Sequence, residues 1–425
     1  MNKQKTITEL VAMEHQLSSH YSDLQNQGLQ LDLTRGKPSP EQLDLANLLD
    51  RDLDNDYLSP DNIDVRNYGQ LEGLPSARQL GASLLGVQDT DVIVGGNASL
   101  TLMYQYLLSA LYWGPLGPNT AWRKNNEQLK FLCVVPGYDR HFTITEDLGF
   151  EMINVEMLES GPNMDTVEQL VADDPQIKGI WCVPKYQNPT GHTFSDETVE
   201  RMSLLGKIAG PDFRIMWDNA YAVHNLYDSS RVLKNIMVCC KTANTQDSVI
   251  MFASTSKITR AGSGISFIAA SPDNLSHFKK RLSVQTIGSN KVNQLRHVRF
   301  LRKFDDIESL MQQHAAIVRP KFEKVIHYLQ SHLKDIATWT EPRGGYFLSV
   351  NVASGLAKEV VRLAGEAGVK LTPAGATFPY KLDPADTNIR LAPTYPNLDE
   401  LQAAMPVFIT AVQLASVRKL LIQKD

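Results

Sequence analysis

The sequence predicts an α/β protein, with a mostly parallel sheet covered by helices on both faces and a smaller α+β domain after it. From about residue 90, apolar runs of strand length alternate with helical patterns, which is typical of buried parallel strands. After about residue 290 the pattern changes to long helices followed by two strand-like runs. The 425 residues are 43% hydrophobic, which is enough for two or three domains' worth of core.

The elements follow in order along the chain. Residues 6–27 form an amphipathic pattern that ends at Gly28, so a helix is expected there. The next stretch, LDLTRGKPSP, is expected to be extended because its two prolines exclude a helix. We predict that residues 1–50 form a helix and arm joining the small domain, that 51–300 form the large domain, and that 301–425 form the small domain.

Within the large domain, strand patterns and helix patterns are clearly separated. Strands are expected at DVIVGG, FLCVV, EMINVEM, IKGIWCV, FRIMWD, SVIMFAS and GISFIAAS. Helices are expected at NASLTLMYQYLLSALYWG, HFTITEDLG, MDTVEQLVADD and SDETVERMSLLGKIA, the last with Ser195 as its cap. In the small domain, EPRGGYFLSV and NIRLAP are the strand-like runs.

Composition excludes several classes of protein. A net charge of −5 supplies no basic excess for a nucleic-acid partner. The four cysteines include no CxxC pair, and Cys133 and Cys182 lie in apolar runs, which favours buried thiols in a reducing cytoplasm. The N-terminus is polar, and no stretch approaches the roughly 20 apolar residues of a membrane span, so neither a signal peptide nor a membrane partner is expected.

Residues suited to chemistry follow the predicted strands. Ligands of open α/β sheets bind beyond the carboxyl ends of the strands. The segments NASL, PGYDR, YQNPTG, DNAY and STSK each stand at such an end. Their shared position predicts one common site.

Lys257 is the central candidate of this site. A lysine amine with a lowered pKa is a nucleophile that holds an aldehyde as an imine. The hydroxyl residues at 254–256 and the glycines at 262 and 264 leave room for a bulky ring. Taken alone, a lysine after a strand is more often a solvated surface charge.

Other positions have a functional and a structural interpretation. Asp218 ends an apolar strand, where a carboxylate is costly unless it is paired, although it also suits a turn cap. Asn188 is an amide donor or simply part of an Asn-Pro turn. Tyr138 stacks on a ring or belongs to the core. Arg390 clamps a carboxylate with its forked guanidinium or forms a surface ion pair.

A glycine-containing corner precedes the helix pattern that starts near residue 99. The free N–H groups and positive dipole end of a helix N-terminus suit a phosphate. The corner is weak as an isolated signal, because glycine pairs before helices are common. Its candidate residues are Gly96, Asn97, Ala98 and Ser99.

Three ordered motifs resemble fold-type I pyridoxal-phosphate (PLP) enzymes of the aspartate aminotransferase superfamily. They are NPTG at 188–191, DxAY at 218–221 and SxSK at 254–257. The separations of 30 and 39 residues between their key positions match the family's pattern. More narrowly, LTRGKPSPEQLDL, GGNASLTLMY and STSKITRAG resemble an atypical bacterial aspartate aminotransferase subgroup.

The resemblance implies roles for these residues. Lys257 is expected to hold PLP as a Schiff base, with Asp218 facing the ring nitrogen and Tyr138 stacking on the ring. Asn188 and Tyr221 are expected to bond the ring oxygen. Gly96, Asn97, Ala98 and Ser99 are expected at the phosphate, with Tyr68 from the neighbouring subunit of a homodimer. Ser254 and Ser256 are also expected to bind the cofactor.

Two departures from the family pattern concern arginines. The family arginine seven or eight residues after the lysine is absent, and Arg260 is the candidate replacement at the phosphate. The segment VQTIGSNKVNQ lacks the arginine that recognises a side-chain carboxylate. Arg35 and Arg140 are the candidates for that task, and each is equally suited to the surface.

The predicted function is a ping-pong aminotransferase acting on aspartate or glutamate and a 2-oxo acid. Arg390 and the Gly36 backbone are expected to bind the α-carboxylate, and Lys257 to move the α-proton. A PLP-dependent lyase or decarboxylase is an alternative on the same fold. A PLP-binding regulator is disfavoured because no helix-turn-helix extension precedes residue 30, and a dehydrogenase because GGNASL is not GxGxxG.

Overall fold

The structure is a computed structural model that describes residues 5–34, 36–51, 53–124, 127–228 and 231–424. Within these ranges, a central sheet has the strand order β2-β9-β8-β7-β6-β3-β4-β5. Its strands are β2 (Val92–Val94), β3 (Lys130–Val135), β4 (Glu151–Leu158), β5 (Gly161–Pro162), β6 (Ile177–Cys182), β7 (Arg214–Asp218), β8 (Val249–Ser254) and β9 (Ser266–Ala269).

The middle of this sheet is parallel. Strand β3 pairs in parallel with β4 and β6, β6 with β7, and β7 with β8. Strand β9 is antiparallel to both of its neighbours, β8 and β2, and β5 is antiparallel to β4. The carboxyl ends of the parallel strands therefore open at one edge, as the sequence pattern predicts.

Helices cover both faces of the sheet. The helices of the chain are α1 (Ile7–Asn26), α2 (Pro40–Asp44), α3 (Pro75–Leu85), α4 (Ser99–Trp113), α5 (Asp139–Asp147), α6 (Met164–Asp173), α7 (Asp196–Ile208), α8 (Ile236–Ala243), α9 (Pro272–Gln285), α10 (Lys291–Phe300), α11 (Phe304–His332), α12 (Ala357–Glu366) and α13 (Leu398–Ile422). Neighbouring strand residues such as Met216 and Trp217 are buried in different hydrophobic clusters, because successive side chains of a strand point to opposite faces of the sheet. Such strands must be apolar throughout, which explains their continuous hydrophobic runs.

A second core lies around the C-terminal part of the chain. A three-stranded sheet has the order β10 (Thr338–Trp339), β11 (Leu348–Asn351) and β13 (Asn388–Leu391). A separate parallel pair joins β1 (Leu31–Asp32) to β12 (Val369–Lys370). Helices α1, α11 and α12 each pack against α13, so the N-terminal helix belongs to this core.

Helix α13 is the most apolar of the long helices. By length and composition alone, this helix is long and apolar enough to cross a membrane. The expectation that no segment approaches a membrane span is therefore wrong for α13. In the fold, 61% of its most apolar window is buried inside the protein. Packing against α1, α11 and α12 accounts for this hydrophobicity.

Local signals agree with the observed helix ends, with one exception. Ser195 caps α7 by accepting a hydrogen bond from the Thr198 N–H, and Gly28 adopts a φ of +63° after α1. The exception is Pro40, which was expected to exclude a helix but begins the short helix α2. Proline is tolerated in the first turn, because the N–H that it lacks has no intrahelical partner there.

Candidate active site

The predicted site residues gather at the carboxyl edge of the central sheet. Tyr138 follows β3, Asn188 follows β6, Asp218 is the last residue of β7, and Lys257 lies in a turn just after β8. These strands are parallel neighbours, so their ends are adjacent in space. The contacts described below join these side chains into one site.

Lys257 is held from several directions. Its Nζ lies 4.9 Å from the centroid of the Tyr221 ring. Desolvation lowers the pKa of the Lys257 amine, and the Asp218 carboxylate offsets part of that effect. The Lys257 carbonyl accepts hydrogen bonds from the Tyr346 hydroxyl at 3.4 Å and from His224 Nε2 at 3.3 Å. The turn is thus anchored while the amine stays available for chemistry.

Asp218 is a buried carboxylate with only one oxygen satisfied. It is 3% exposed, and its Oδ2 accepts a hydrogen bond from His141 Nε2 at 3.0 Å. Its Oδ1 is buried and has no hydrogen-bond partner in the described part of the chain. A buried oxygen of this kind is costly, so a ligand N–H is the natural complement. A protonated ring nitrogen fits this position.

His141 is a site residue that the sequence interpretation missed. Its imidazole stacks on Trp181 with centroids 4.2 Å apart and an angle of 8° between the planes. Tyr138 packs edge-on against it at 4.8 Å. The available signal was its position, three residues after Tyr138 in the first turn of α5, which places both side chains on the same side of the chain.

The corner before α4 has the properties of a phosphate site. The N-cap residue Ala98 makes no side-chain hydrogen bond to the helix, so the first N–H groups of α4 lack that partner. Gly96 is exposed, and open space surrounds the position where a Cβ would stand. Ser256 Oγ donates to the Asn97 carbonyl at 2.5 Å, which ties the lysine turn to this corner. The helix start is therefore free to receive an anion.

Arg390 reaches the site from the three-stranded sheet of the second core. It lies on β13 opposite Ser349 of β11, and its guanidinium sits 4.8 Å above the Phe347 ring. Its Nη1 donates to Asn188 Oδ1 at 3.3 Å and to Asp139 Oδ1 at 3.1 Å. Its Nε is buried without a hydrogen-bond partner among the described residues.

Gly36 approaches the same platform as Arg390. A Cβ at position 36 would lie 2.5 Å from Phe347 Cζ, so only glycine allows this packing. The Gly36 backbone and the Arg390 guanidinium therefore share one aromatic neighbour. This placement agrees with the predicted joint binding of a carboxylate.

The candidate replacement for the missing phosphate arginine is engaged elsewhere. Arg260 donates to Asp50 Oδ2 at 2.6 Å and to Asn47 Oδ1 at 3.0 Å. These contacts tie the lysine turn to the 3₁₀ helix at 47–50. A role of Arg260 at the phosphate stays a prediction.

Three other predicted residues lie away from these contacts or outside the described ranges. Arg140 is exposed and lines a surface groove with Tyr104 and Asp147. Tyr68 is 84% exposed. Arg35 lies outside the described residues. The structure therefore leaves open which cation meets a substrate's side-chain carboxylate.

The fold and the site together define the class of protein. A mostly parallel sheet carries a lysine and a buried aspartate at its carboxyl edge, and an arginine from the three-stranded sheet contacts Asn188 beside them. This is the arrangement of fold-type I aminotransferases.

Comparison with known proteins identifies the family. The profile of the aspartate aminotransferase family matches residues 5–424, and the chain belongs to this family of aminotransferases. It is similar to a protein named as an aminotransferase from Mycolicibacterium smegmatis, with 46% identity over 97% of each chain. It is 44% identical to an aspartate aminotransferase from Corynebacterium glutamicum, over 96% of this chain and 95% of the relative. A crystal structure of an aspartate transaminase from the same organism superposes with a TM-score of 0.93 at 42% identity, covering 98% of this chain and 99% of the other.

Proposed function

We propose that this aminotransferase binds PLP on Lys257 and exchanges amino groups between aspartate or glutamate and a 2-oxo acid. The observation that carries the proposal is the unpartnered Oδ1 of Asp218, which is buried near the Lys257 amine. A cofactor that offers both an aldehyde and a protonated ring nitrogen satisfies these two groups together. The family to which the chain belongs implies the same cofactor.

When bound, PLP supplies an electron sink for the carbanion that forms at the substrate's Cα. The protein's own residues do the rest. Lys257 Nζ, whose pKa is lowered by desolvation, would take the proton from the substrate's Cα as a general base and then deliver it, as a general acid, to the former aldehyde carbon of the cofactor. His141 holds Asp218 in place through Oδ2, which leaves Oδ1 directed at the cofactor site. Residues 96–99 hold the phosphate at the start of α4.

Arg390 and Gly36 orient the substrate. The forked guanidinium of Arg390 suits a bidentate contact with the α-carboxylate. Asn188 Oδ1 helps to fix the guanidinium by accepting a hydrogen bond from Nη1. A dicarboxylic substrate is supported by the names of the relatives at 44% and 42% identity. The second carboxylate then requires a cation, for which Arg35 and Arg140 remain the proposed candidates.

A cytoplasmic homodimer is part of the proposal. Tyr68 is 84% exposed on a segment that packs against residues 286–291, through a 3.0 Å hydrogen bond from Lys291 Nζ to the Gly69 carbonyl. Val284 and Ile287, next to this contact, are 81% and 59% exposed. A second copy of the chain would cover this apolar surface and receive Tyr68. Sedimentation of a fully active monomer would contradict this part.

A half-reaction screen tests the assignment. Each amino acid is added to the purified, PLP-loaded protein, and the visible absorption of the lysine-bound cofactor is followed. Aspartate and glutamate are expected to bleach the band fastest, and a 2-oxo acid should restore it. Release of ammonia and pyruvate without any oxo-acid acceptor would instead establish a lyase.

The lysine assignment has its own control. Lys257→Ala is expected to lose both the visible band and turnover, because no other amine reaches the Tyr221 ring in the described site. Lys207→Ala, which removes an exposed lysine from α7, should leave both unchanged. An active Lys257→Ala enzyme would exclude the proposed mechanism.

A further inference from the structure

A carboxylate of the protein itself lies on the arginine proposed to bind substrate. Asp139 Oδ1 is 3.1 Å from Arg390 Nη1. Asp139 is the first residue of α5, so it follows directly on Tyr138 at the end of the loop after β3. It therefore enters the site from the large domain, whereas Arg390 enters from β13 of the small domain.

The two partners of this ion pair differ in their exposure. The Arg390 side chain is 6% exposed, whereas the Asp139 side chain is 34% exposed. A buried guanidinium is costly unless a negative charge lies beside it. Asp139 itself is readily hydrated when it moves away, but the buried Arg390 charge then requires another carboxylate beside it.

The remaining neighbours of Arg390 leave part of its guanidinium without a hydrogen-bond acceptor among the described residues. The Asn188 amide oxygen accepts one hydrogen bond, and Phe347 covers one face of the guanidinium. Among the described residues, Asp139 is the acidic side chain in an ion pair with Arg390, and Nε still lacks an acceptor. A free carboxylate that binds in the bidentate manner satisfies more of the guanidinium than Asp139 does.

We propose that Asp139 is a displaceable placeholder for the substrate carboxylate. It neutralises Arg390 when no substrate is present, and it leaves when a carboxylate ligand binds. The inference rests on the proposed role of Arg390, and it makes Asp139 a positioning and specificity residue. Only ligands with a carboxylate displace Asp139, so amines that lack one leave the pair closed. Each substrate binds more weakly than Arg390 alone would allow, since the pair must first open.

The direct test is Asp139→Asn in the PLP-loaded enzyme, with succinate as the probe. Isothermal titration is expected to show succinate binding about 1.5- to 5-fold more tightly to the variant, the range for opening a partly exposed ion pair. The KM for each substrate should fall while kcat changes little. Without ligand the variant should melt earlier than wild type, and succinate should raise its melting temperature by a larger amount. Propylamine, which lacks a carboxylate, should have the same affinity for both proteins.

Two further variants separate displacement from general charge effects. Glu146→Gln removes an exposed negative charge from the other end of α5, and it is expected to leave the affinity for succinate unchanged. Arg390→Lys keeps the charge but loses the fork, and in that background Asp139→Asn should give little gain. An equal gain in succinate affinity in the Arg390→Lys background would mean that Asp139 simply repels the anionic ligand. That result would overturn the proposal that Asp139 is a placeholder.

The other outcomes are equally decisive. Weaker binding of succinate to Asp139→Asn would show that Asp139 holds Arg390 in its binding geometry, which is the opposite of displacement. Equal affinity of wild type and Arg390→Lys for succinate would refute the proposed role of Arg390, and the placeholder would fall with it. The absorbance screen for the cofactor would be unaffected by that result, so the two failures are distinguishable.

Discussion

Replacing His141 with phenylalanine removes the only hydrogen-bond donor of Asp218 in the described structure. The ring keeps its stack on Trp181, so the change leaves packing largely intact and removes one interaction. The His141 and Asp218 side chains are 2% and 4% exposed and 3.0 Å apart, so water does not replace the lost donor. A hydrogen bond to a charged group is worth about 1.5–3 kcal/mol. The free energy of unfolding of the variant should therefore be about 2 kcal/mol lower than that of the wild type.

The measurement is urea unfolding of the cofactor-free protein at fixed concentration, with the transamination rate of the loaded enzyme as a second readout. We expect kcat/KM to fall by roughly tenfold, because Asp218 is no longer held in position. His141→Gln retains an N–H donor at a similar reach and should recover part of both losses.

An unchanged urea midpoint together with an unchanged rate in His141→Phe would refute this reasoning. It would mean that Asp218 is positioned by β7 alone and that the imidazole is only a packing group. A loss of stability in His141→Gln without a loss in His141→Phe would point to the stack on Trp181 rather than to the hydrogen bond.

Three further outcomes follow from the geometry. Gly36→Ala places a Cβ 2.5 Å from Phe347 Cζ, so KM should rise at least tenfold in steady-state assays, and an unchanged KM would show that the arm moves aside freely. Burial lowers the pKa of His224 to about 3 from 6.5, so only the unfolded chain takes up this proton as the pH falls from 7 to 5. Stability should fall with pH, by about 2 kcal/mol from this residue at pH 5, and urea titrations of His224→Asn should show a shallower dependence. Arg260→Gln should change the PLP dissociation constant less than about threefold, because the guanidinium is paired with the exposed Asp50, and a tenfold weakening would establish the phosphate role.

Much of the site was predictable because it depends on local pattern and on one rule of topology. Apolar runs of strand length marked β3, β6, β7 and β8, and the residues after them were read directly from the chain. Parallel pairing then brings those strand ends to one edge. Asp218 and Lys257 are 39 residues apart in sequence, yet this rule alone was enough to expect them in one site.

The pairing partners of the site residues were not predictable in the same way. His141 was missed because nothing in PGYDRH shows that its imidazole meets Asp218, 77 residues later. The sequence also did not show that the Arg260 guanidinium pairs with Asp50, 210 residues earlier. Such contacts depend on how separate segments pack, and a single sequence contains no record of those distances.

The sequence by itself determined the strands, the order of the motifs and the lysine that follows β8, because hydrophobic period and turn chemistry act over a few neighbouring residues. Only the tertiary structure decided that Asp218 keeps one oxygen unpaired and that Asp139 lies on Arg390, 251 residues away. The first depends on how α5 packs at the edge of the central sheet, and the second on how the two cores meet. In each case the cost of a buried charge is settled by whichever side chain arrives within about 3–4 Å.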